Sequence, residues 1–113
     1  MKFECINKIL KKMKNSELIK KLSACIAACN NCADKCLDHD GMAQCIRTDI
    51  ECATICSALL TLHQHNLHNA KLLEACIEAC KKCADDCRNH DHDHCQACAK
   101  ACDECVEACE SHR

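Results

Sequence analysis

Thiol-bearing and apolar positions recur along this chain at steps of four, three and four residues. The spacing C-x3-C-x2-C-x3-C appears three times, at Cys25-Cys29-Cys32-Cys36, Cys76-Cys80-Cys83-Cys87 and Cys98-Cys102-Cys105-Cys109. At 3.6 residues per turn those positions fall in a sector roughly 60° wide, so each run lies on one face of a helix. A fourth run, Cys45-Asp49-Cys52-Cys56, keeps the spacing and puts a carboxylate in place of one thiol. Charged and amide residues fill much of the sequence between, the pattern of a helix with one buried stripe and a wet outer face. Helices of this kind bury their stripes by facing one another.

The pattern predicts an all-α chain. Residues 3–14 place Phe3, Ile6, Ile9, Leu10 and Met13 on one face opposite lysines, a short N-terminal amphipathic helix. Ser16, as an N-cap, opens the first long helix, which runs to about Leu37. The clearest break is Asp38-His39-Asp40-Gly41, which holds the only glycine of a chain without proline. Further helices are expected over about Met42 to Leu62, Asn69 to Arg88 and His94 to Glu110. Connections this short make neighbours antiparallel, hence an up-down four-helix bundle over residues 16–113 with residues 1–15 as an appended helix. The run ACIAACNNCADKC recurs as ACIEACKKCADDC 51 residues later, which points to two helical hairpins descended from one.

Composition shows what such a bundle encloses. Of 113 residues seventeen are cysteine, and Phe3 is the only aromatic among Phe, Trp and Tyr. Cysteine and alanine give less transfer free energy per residue than leucine or phenylalanine, so the core is small-residued and sulfur-rich. The formal charge is -2 with both signs interspersed, which offers neither the basic field of a nucleic-acid binder nor a polybasic membrane patch. The N-terminal MKFECINKILKKMKNS lacks the apolar run of an export signal, and no stretch reaches membrane-spanning length. The expected compartment is the cytoplasm, where clustered cysteines bind metal or do redox work more often than they form disulfides. Thiols one turn apart on a helix also point in parallel, poor geometry for an S–S bond.

Extended beyond the cysteines, the stripes distinguish the two ends of the bundle. Leu18 and Leu22 precede Cys25, Leu59 and His63 follow Cys56, and Leu72 precedes Cys76, so one end is expected to be plugged by leucine. At the other end His39 follows Cys36, Met42 precedes Cys45, His90 follows Cys87, and His94 precedes Cys98, with His92 and Cys95 close by. Imidazole and thioether at the same end suit a mouth for a soft metal ion. His65, His68 and His112 are expected to be solvated, and Cys5 lies outside the array. The candidate metal ligands are therefore Cys25, Cys29, Cys32, Cys36, Cys45, Cys52, Cys56, Cys76, Cys80, Cys83, Cys87, Cys95, Cys98, Cys102, Cys105 and Cys109, with His39, Met42, His90 and His94 at the mouth and Asp49 on a stripe.

The number of thiols bears on which metal they serve. Closed zinc sites take four ligands, and a tetrathiolate buries a formal charge of about -2 per ion with no basic residue on the stripes to offset it. The iron–sulfur spacing ending in Cys-Pro is absent. Copper(I) is soft, accepts bridging thiolates, and at one ion per thiolate simply replaces a proton. Two other readings remain open: a zinc or mixed-metal thiolate buffer, and a thiol redox protein using pairs such as Cys29-Cys32 or Cys102-Cys105, although the βαβ setting of thioredoxin-like sites is missing.

The stretch from Cys45-Ile46-Arg47-Thr48-Asp49 through Cys56, with that from His90-Asp91-His92-Asp93-His94 through Cys102, closely resembles the cytosolic branch of the four-helix-bundle copper storage proteins. The resemblance covers about Ser23 to Glu110. It implies a non-enzymatic cytoplasmic protein for copper storage and detoxification, commonly a homotetramer, whose inward cysteines hold many Cu(I) ions. It also implies that Asp49 is a regular feature of its stripe. The N-terminal helix with Cys5 departs from the compact members.

Overall fold

The computed structural model describes residues 2–113. Its helices are α1 (Lys2–Cys36), α2 (Ala43–Gln64), α3 (Ala70–Arg88) and α4 (Asp93–Glu110), and no strand occurs among the described residues. Helix α1 packs on α2 and α4, and α3 packs on the same two, so the helices close into a four-sided antiparallel ring. The diagonal pairs meet only through side chains at the centre.

Local chemistry accounts for the turns. Gly41, between α1 and α2, adopts φ +73°, a conformation open to glycine without the steric cost a Cβ carries. Helix α2 ends in a Schellman motif: the Leu67 N–H donates to the Leu62 carbonyl at 2.9 Å and the Asn66 N–H to the His63 carbonyl at 3.1 Å. The C′ residue is Asn66, at φ 56°, since asparagine is among the few side chains that tolerate left-handed backbone. Asn69 then caps α3, its Oδ1 accepting from the Leu72 N–H at 3.0 Å.

One expected boundary is absent. Residues 2–14 are helical with an exposed apolar face, but the helix does not restart at Ser16; α1 runs unbroken through 35 residues. Lys, Leu, Met and Glu, all good helix formers, flank the position, and no glycine or proline interrupts them. Asn15 is also drawn away from any local capping role. Its Nδ2 donates to the His63 carbonyl at 3.1 Å and its Oδ1 lies 2.7 Å from His63 Nδ1. The first fully buried residue is Leu18, so about four turns of α1 overhang the bundle and the molecule reaches 59 Å in length.

The core is a column of sulfur. Sixteen cysteines are buried and Cys5 alone is exposed; all seventeen are free thiols. Leu18, Leu22, Leu59 and Leu73 close one end, each at most 2% exposed. The third-helix contribution is Leu73 and not the expected Leu72, which is only partly buried. Buried positions alternate steps of four and three to follow the 3.6-residue turn, and after Cys80 to Cys76 the next step back is three. Ala53, Ala84, Ala99, Ile77 and Val106 fill the seams beside the sulfur stripes. Ion pairs such as Lys21–Glu104 at 2.8 Å tie α1 to α4 on the surface, where such pairs each contribute at most about 1 kcal/mol.

Candidate metal centre

Each helix contributes its sulfurs at one-turn intervals, and antiparallel packing sets the four rows facing one another. The Sγ atoms of Cys32, Cys36, Cys45 and Cys95 all lie within 4.8 Å of each other. So do those of Cys29, Cys83, Cys98 and Cys102; of Cys25, Cys29, Cys52 and Cys102; of Cys25, Cys52, Cys56 and Cys80; and of Cys56, Cys76, Cys80 and Cys105. The last four groups form a ladder in which each shares two sulfurs with the next. The first group joins them through Cys87, whose Sγ lies 3.5 Å from that of Cys45 and 3.9 Å from that of Cys83. Cys109 extends the column to the leucine layer, its Sγ 3.9 Å from that of Cys76.

Within these groups the sulfurs form near-equilateral triangles. Cys25, Cys29 and Cys102 are separated by 4.0, 3.7 and 3.8 Å. Cys52, Cys56 and Cys80 are separated by 3.9, 3.6 and 3.6 Å, and Cys32, Cys36 and Cys95 by 3.7, 3.9 and 3.9 Å. An ion at the centre of such a triangle lies about 2.2 Å from each sulfur, a metal–thiolate bond length. Triangles of this size suit three-coordinate metal binding.

The electrostatics of the column favour a monovalent cargo. Among the described residues its only buried polar or charged side chains, apart from thiols, are Thr48, Asp49 and His63, none of them a fixed cation. Thr48 is satisfied locally, its hydroxyl donating to the Cys45 carbonyl at 3.1 Å. Burial pushes the Cys45 thiol up to about 12, and burial with the neighbouring Cys36 pushes Cys95 up to about 11. Asp49 is pushed up to about 9, first by burial and then by the proximity of Cys98, so at neutral pH it is a carboxylic acid. Its Oδ1 accepts from the thiols of Cys83, Cys98 and Cys87 at 3.1, 3.3 and 3.4 Å. Burial disfavours charge on the thiols from one end of the column to the other, and an ion that displaces one proton per charge adds none.

The two inter-helix turns predicted to share an end do share it. His39, after α1, stacks on His92, before α4, with ring centroids 3.9 Å apart, and His94 lies 5.2 Å from His92. Met42 is 3% exposed. Cys95 takes the inward register on α4, whereas His94 is half-buried with a buried Nε2 that lacks a hydrogen-bond partner. Burial, then His92 and His39, hold the His94 pKa below the ordinary imidazole range. His90 is half-buried, and its ring joins none of these stacks; its carbonyl accepts from Gln96 Nε2 at 2.7 Å. The stack thus comprises His39, His92 and His94, and His92 was the member that spacing alone placed outside the stripe.

At the leucine end the structure gathers residues expected to be solvated. His63 is 4% exposed, and its ring meets those of His112 and His68 edge-on at centroid distances of 5.4 and 6.2 Å. His68 is exposed and His112 half-buried. Burial, with His112 and His68 alongside, holds the His63 pKa low. Sequence periodicity marks His63 as inward but carries no signal for its neighbours, which approach from a loop and from the C-terminus.

A family model described as copper storage protein matches residues 11–113. An uncharacterized cysteine-rich protein, YhjQ, of Bacillus subtilis strain 168 is 43% identical over 76 residues, which cover 64% of this chain and 70% of that one. Among solved structures, a Cu(I)-bound copper storage protein, BsCsp3, superimposes with a TM-score of 0.82 at 39% identity, covering 87% of this chain and 96% of that one. A cytosolic copper storage protein from Streptomyces lividans, in a structure of copper loading with five coppers, superimposes with a TM-score of 0.83 at 32% identity over 90% of this chain and 93% of that one.

Proposed function

This chain belongs to the copper storage protein family, whose cargo is Cu(I), and from that premise we propose how it takes up and holds the metal. The sixteen buried cysteines are the ligands, filling as bridging thiolates in the sulfur triangles. Each ion displaces a thiol proton, so loading never accumulates charge in the low-dielectric column. Asp49 serves as a neutral spacer on the α2 stripe until neighbouring thiols load. Met42 and the histidines of the turn end, His39, His90, His92 and His94, form the mouth, and ions pass from it to Cys36, Cys45, Cys87, Cys95 and Cys98. Thiolates one turn apart then exchange ions down the ladder toward the leucine layer.

The protein acts by sequestering metal and not by turning over a substrate. Its place is the cytoplasm, where thiols stay reduced, and it serves both storage and protection against excess copper. No helix of the described residues is long and apolar enough to cross a membrane. Exposed Phe3, Ile6, Ile9, Leu10 and Met13 on the overhanging turns of α1 support assembly into a homotetramer, which light scattering of the full chain checks.

The observation that carries the storage reading is the set of sulfur triangles in a column without a buried fixed cation. Anaerobic titration should bind about one Cu(I) per buried thiol, whereas Zn(II) should saturate near one ion per four thiols. Saturation at four or fewer Cu(I) per chain would refute it.

A further inference from the structure

At the end opposite the mouth, outside the leucine layer, lies a cavity of about 400 Å³ whose lining includes His63, His68, His112, Asn15, Lys11 and Lys14. We propose that His63, His68 and His112 form a second, all-nitrogen copper(I) site there, separate from the thiolate column. The first observation is that His63 Nε2 is buried without a hydrogen-bond partner on a side chain only 4% exposed. An unpartnered buried ring nitrogen is costly unless something occupies its lone pair.

The second observation fixes the tautomer. Asn15 donates from Nδ2 to the His63 carbonyl at 3.1 Å, which orients its amide so that Oδ1 faces His63 Nδ1 at 2.7 Å. A carbonyl oxygen only accepts, so the proton sits on Nδ1 and the lone pair on Nε2. His112 has the same arrangement: Nδ1 lies 3.3 Å from the Ala108 carbonyl, which leaves its Nε2 free. Ring nitrogens held in this way, one N–H donated to a fixed acceptor and the other nitrogen bare, are what metal-binding histidines show.

The third observation is the spacing. With metal–nitrogen bonds of about 2.0–2.1 Å and each ring centre roughly 1.1 Å behind its ligating nitrogen, imidazoles sharing one ion have centroids about 5–6 Å apart. The observed 5.4 Å for His63–His112 falls in this range and the 6.2 Å for His63–His68 lies just beyond it, so exposed His68 has to close on the ion last. The charge of the lining selects the ion. Lys11, Lys12 and Lys14 border the cavity and no Asp or Glu does, which disfavours a dication relative to a monovalent ion. Leu18, Leu22, Leu59 and Leu73 stand between this site and the thiols, so an ion here gains no sulfur ligand and is held less tightly than one in the column.

The test follows Cu(I) titration of the full chain by imidazole ¹⁵N NMR beside metal analysis of the parent and of His63→Ala, His112→Gln and His68→Ala. Because the site is the weaker one, the Nε2 resonances of His63 and His112 should move only as the last equivalent is added, after thiolate absorbance has levelled. Each variant should bind one Cu(I) fewer than the parent with unchanged thiolate absorbance. His68 is exposed and His112 half-buried, so those two variants keep the bundle intact even if His63→Ala loosens it. Asn15→Leu, which removes the tautomer lock while leaving every ligand, should weaken this last equivalent about tenfold and leave the thiolate ions alone. Resonances that stay fixed through saturation, equal copper content in parent and variants, or preferential uptake of Zn(II) at these nitrogens when both ions are offered would overturn the proposal. Capacity of the thiolate column is read separately, so loss of this site and failure of the storage reading give different results.

Discussion

Asp49 shows how one residue can sit among thiols without disturbing their charge balance. Its carboxyl is fully buried and pushed up to about 9, so the folded apo-protein holds a proton that an unfolded carboxyl, titrating near about 4, releases. A folded-state pKa above the unfolded one stabilises the fold fully at acid pH and progressively less as pH rises toward the folded value. Asp49→Asn keeps the shape and removes the proton. In reduced, metal-free protein, urea unfolding of parent and variant between pH 5 and 8 should therefore diverge, the parent losing stability relative to the variant at every step upward. Parallel pH profiles would mean that Asp49 is ionised in the core. The sequence placed this carboxylate on the stripe through its spacing; its protonation depends on the Cys83, Cys87 and Cys98 thiols brought against it from α3 and α4.

Within each helix the four-three-four rhythm makes the element legible. The same rhythm accounts for the difference on α3, where a step of four from Cys76 gives Leu72 and the register takes three, to Leu73; on α4 a step of three from Cys98 gives inward Cys95 and a step of four gives half-buried His94. The continuity of α1 is hidden for another reason: Ser16 looks like a helix start, and only the structure shows the helix running through it while Asn15 bonds sideways to His63. The two ends of the helices should behave differently on substitution. Replacing His39, His92 and His94 by alanine should slow Cu(I) uptake in stopped-flow loading and leave final capacity within a few ions, because the thiolates are intact. Replacing Leu18, Leu22, Leu59 or Leu73 by alanine should cost roughly 2–5 kcal/mol each in apo-protein stability with little effect on initial uptake. If the leucine variants alone loaded slowly, the mouth would lie at the other end.

At the scale of the whole molecule, four helices around sulfur make a fold whose stability has two sources. The closed ring of antiparallel helices, the leucine layer and the alanine seams exist without metal, whereas the buried sulfur column contributes less transfer free energy per residue than leucine and gains its cross-links only when ions bridge it. This architecture was readable because fifteen of the sixteen inward thiols fall on one spacing repeated on every helix; the cluster of His63, His68 and His112 was not, since no periodicity links a helix end, a loop and a C-terminus. The reduced apo-chain should accordingly be helical by circular dichroism, in contrast to zinc fingers, which fold only with their metal. Each Cu(I) bound then joins two or three helices and binds the native state alone, so stability should climb with loading by mass action. Thermal melts at successive copper equivalents should move upward in graded steps, with the largest gains while the shared triangles around Cys25, Cys52 and Cys80 fill, because those sulfurs come from α1, α2 and α3 at once. A melting temperature indifferent to loading would mean that the ions sit outside the column, and an unfolded apo-protein would mean that the leucine layer cannot hold the ring closed.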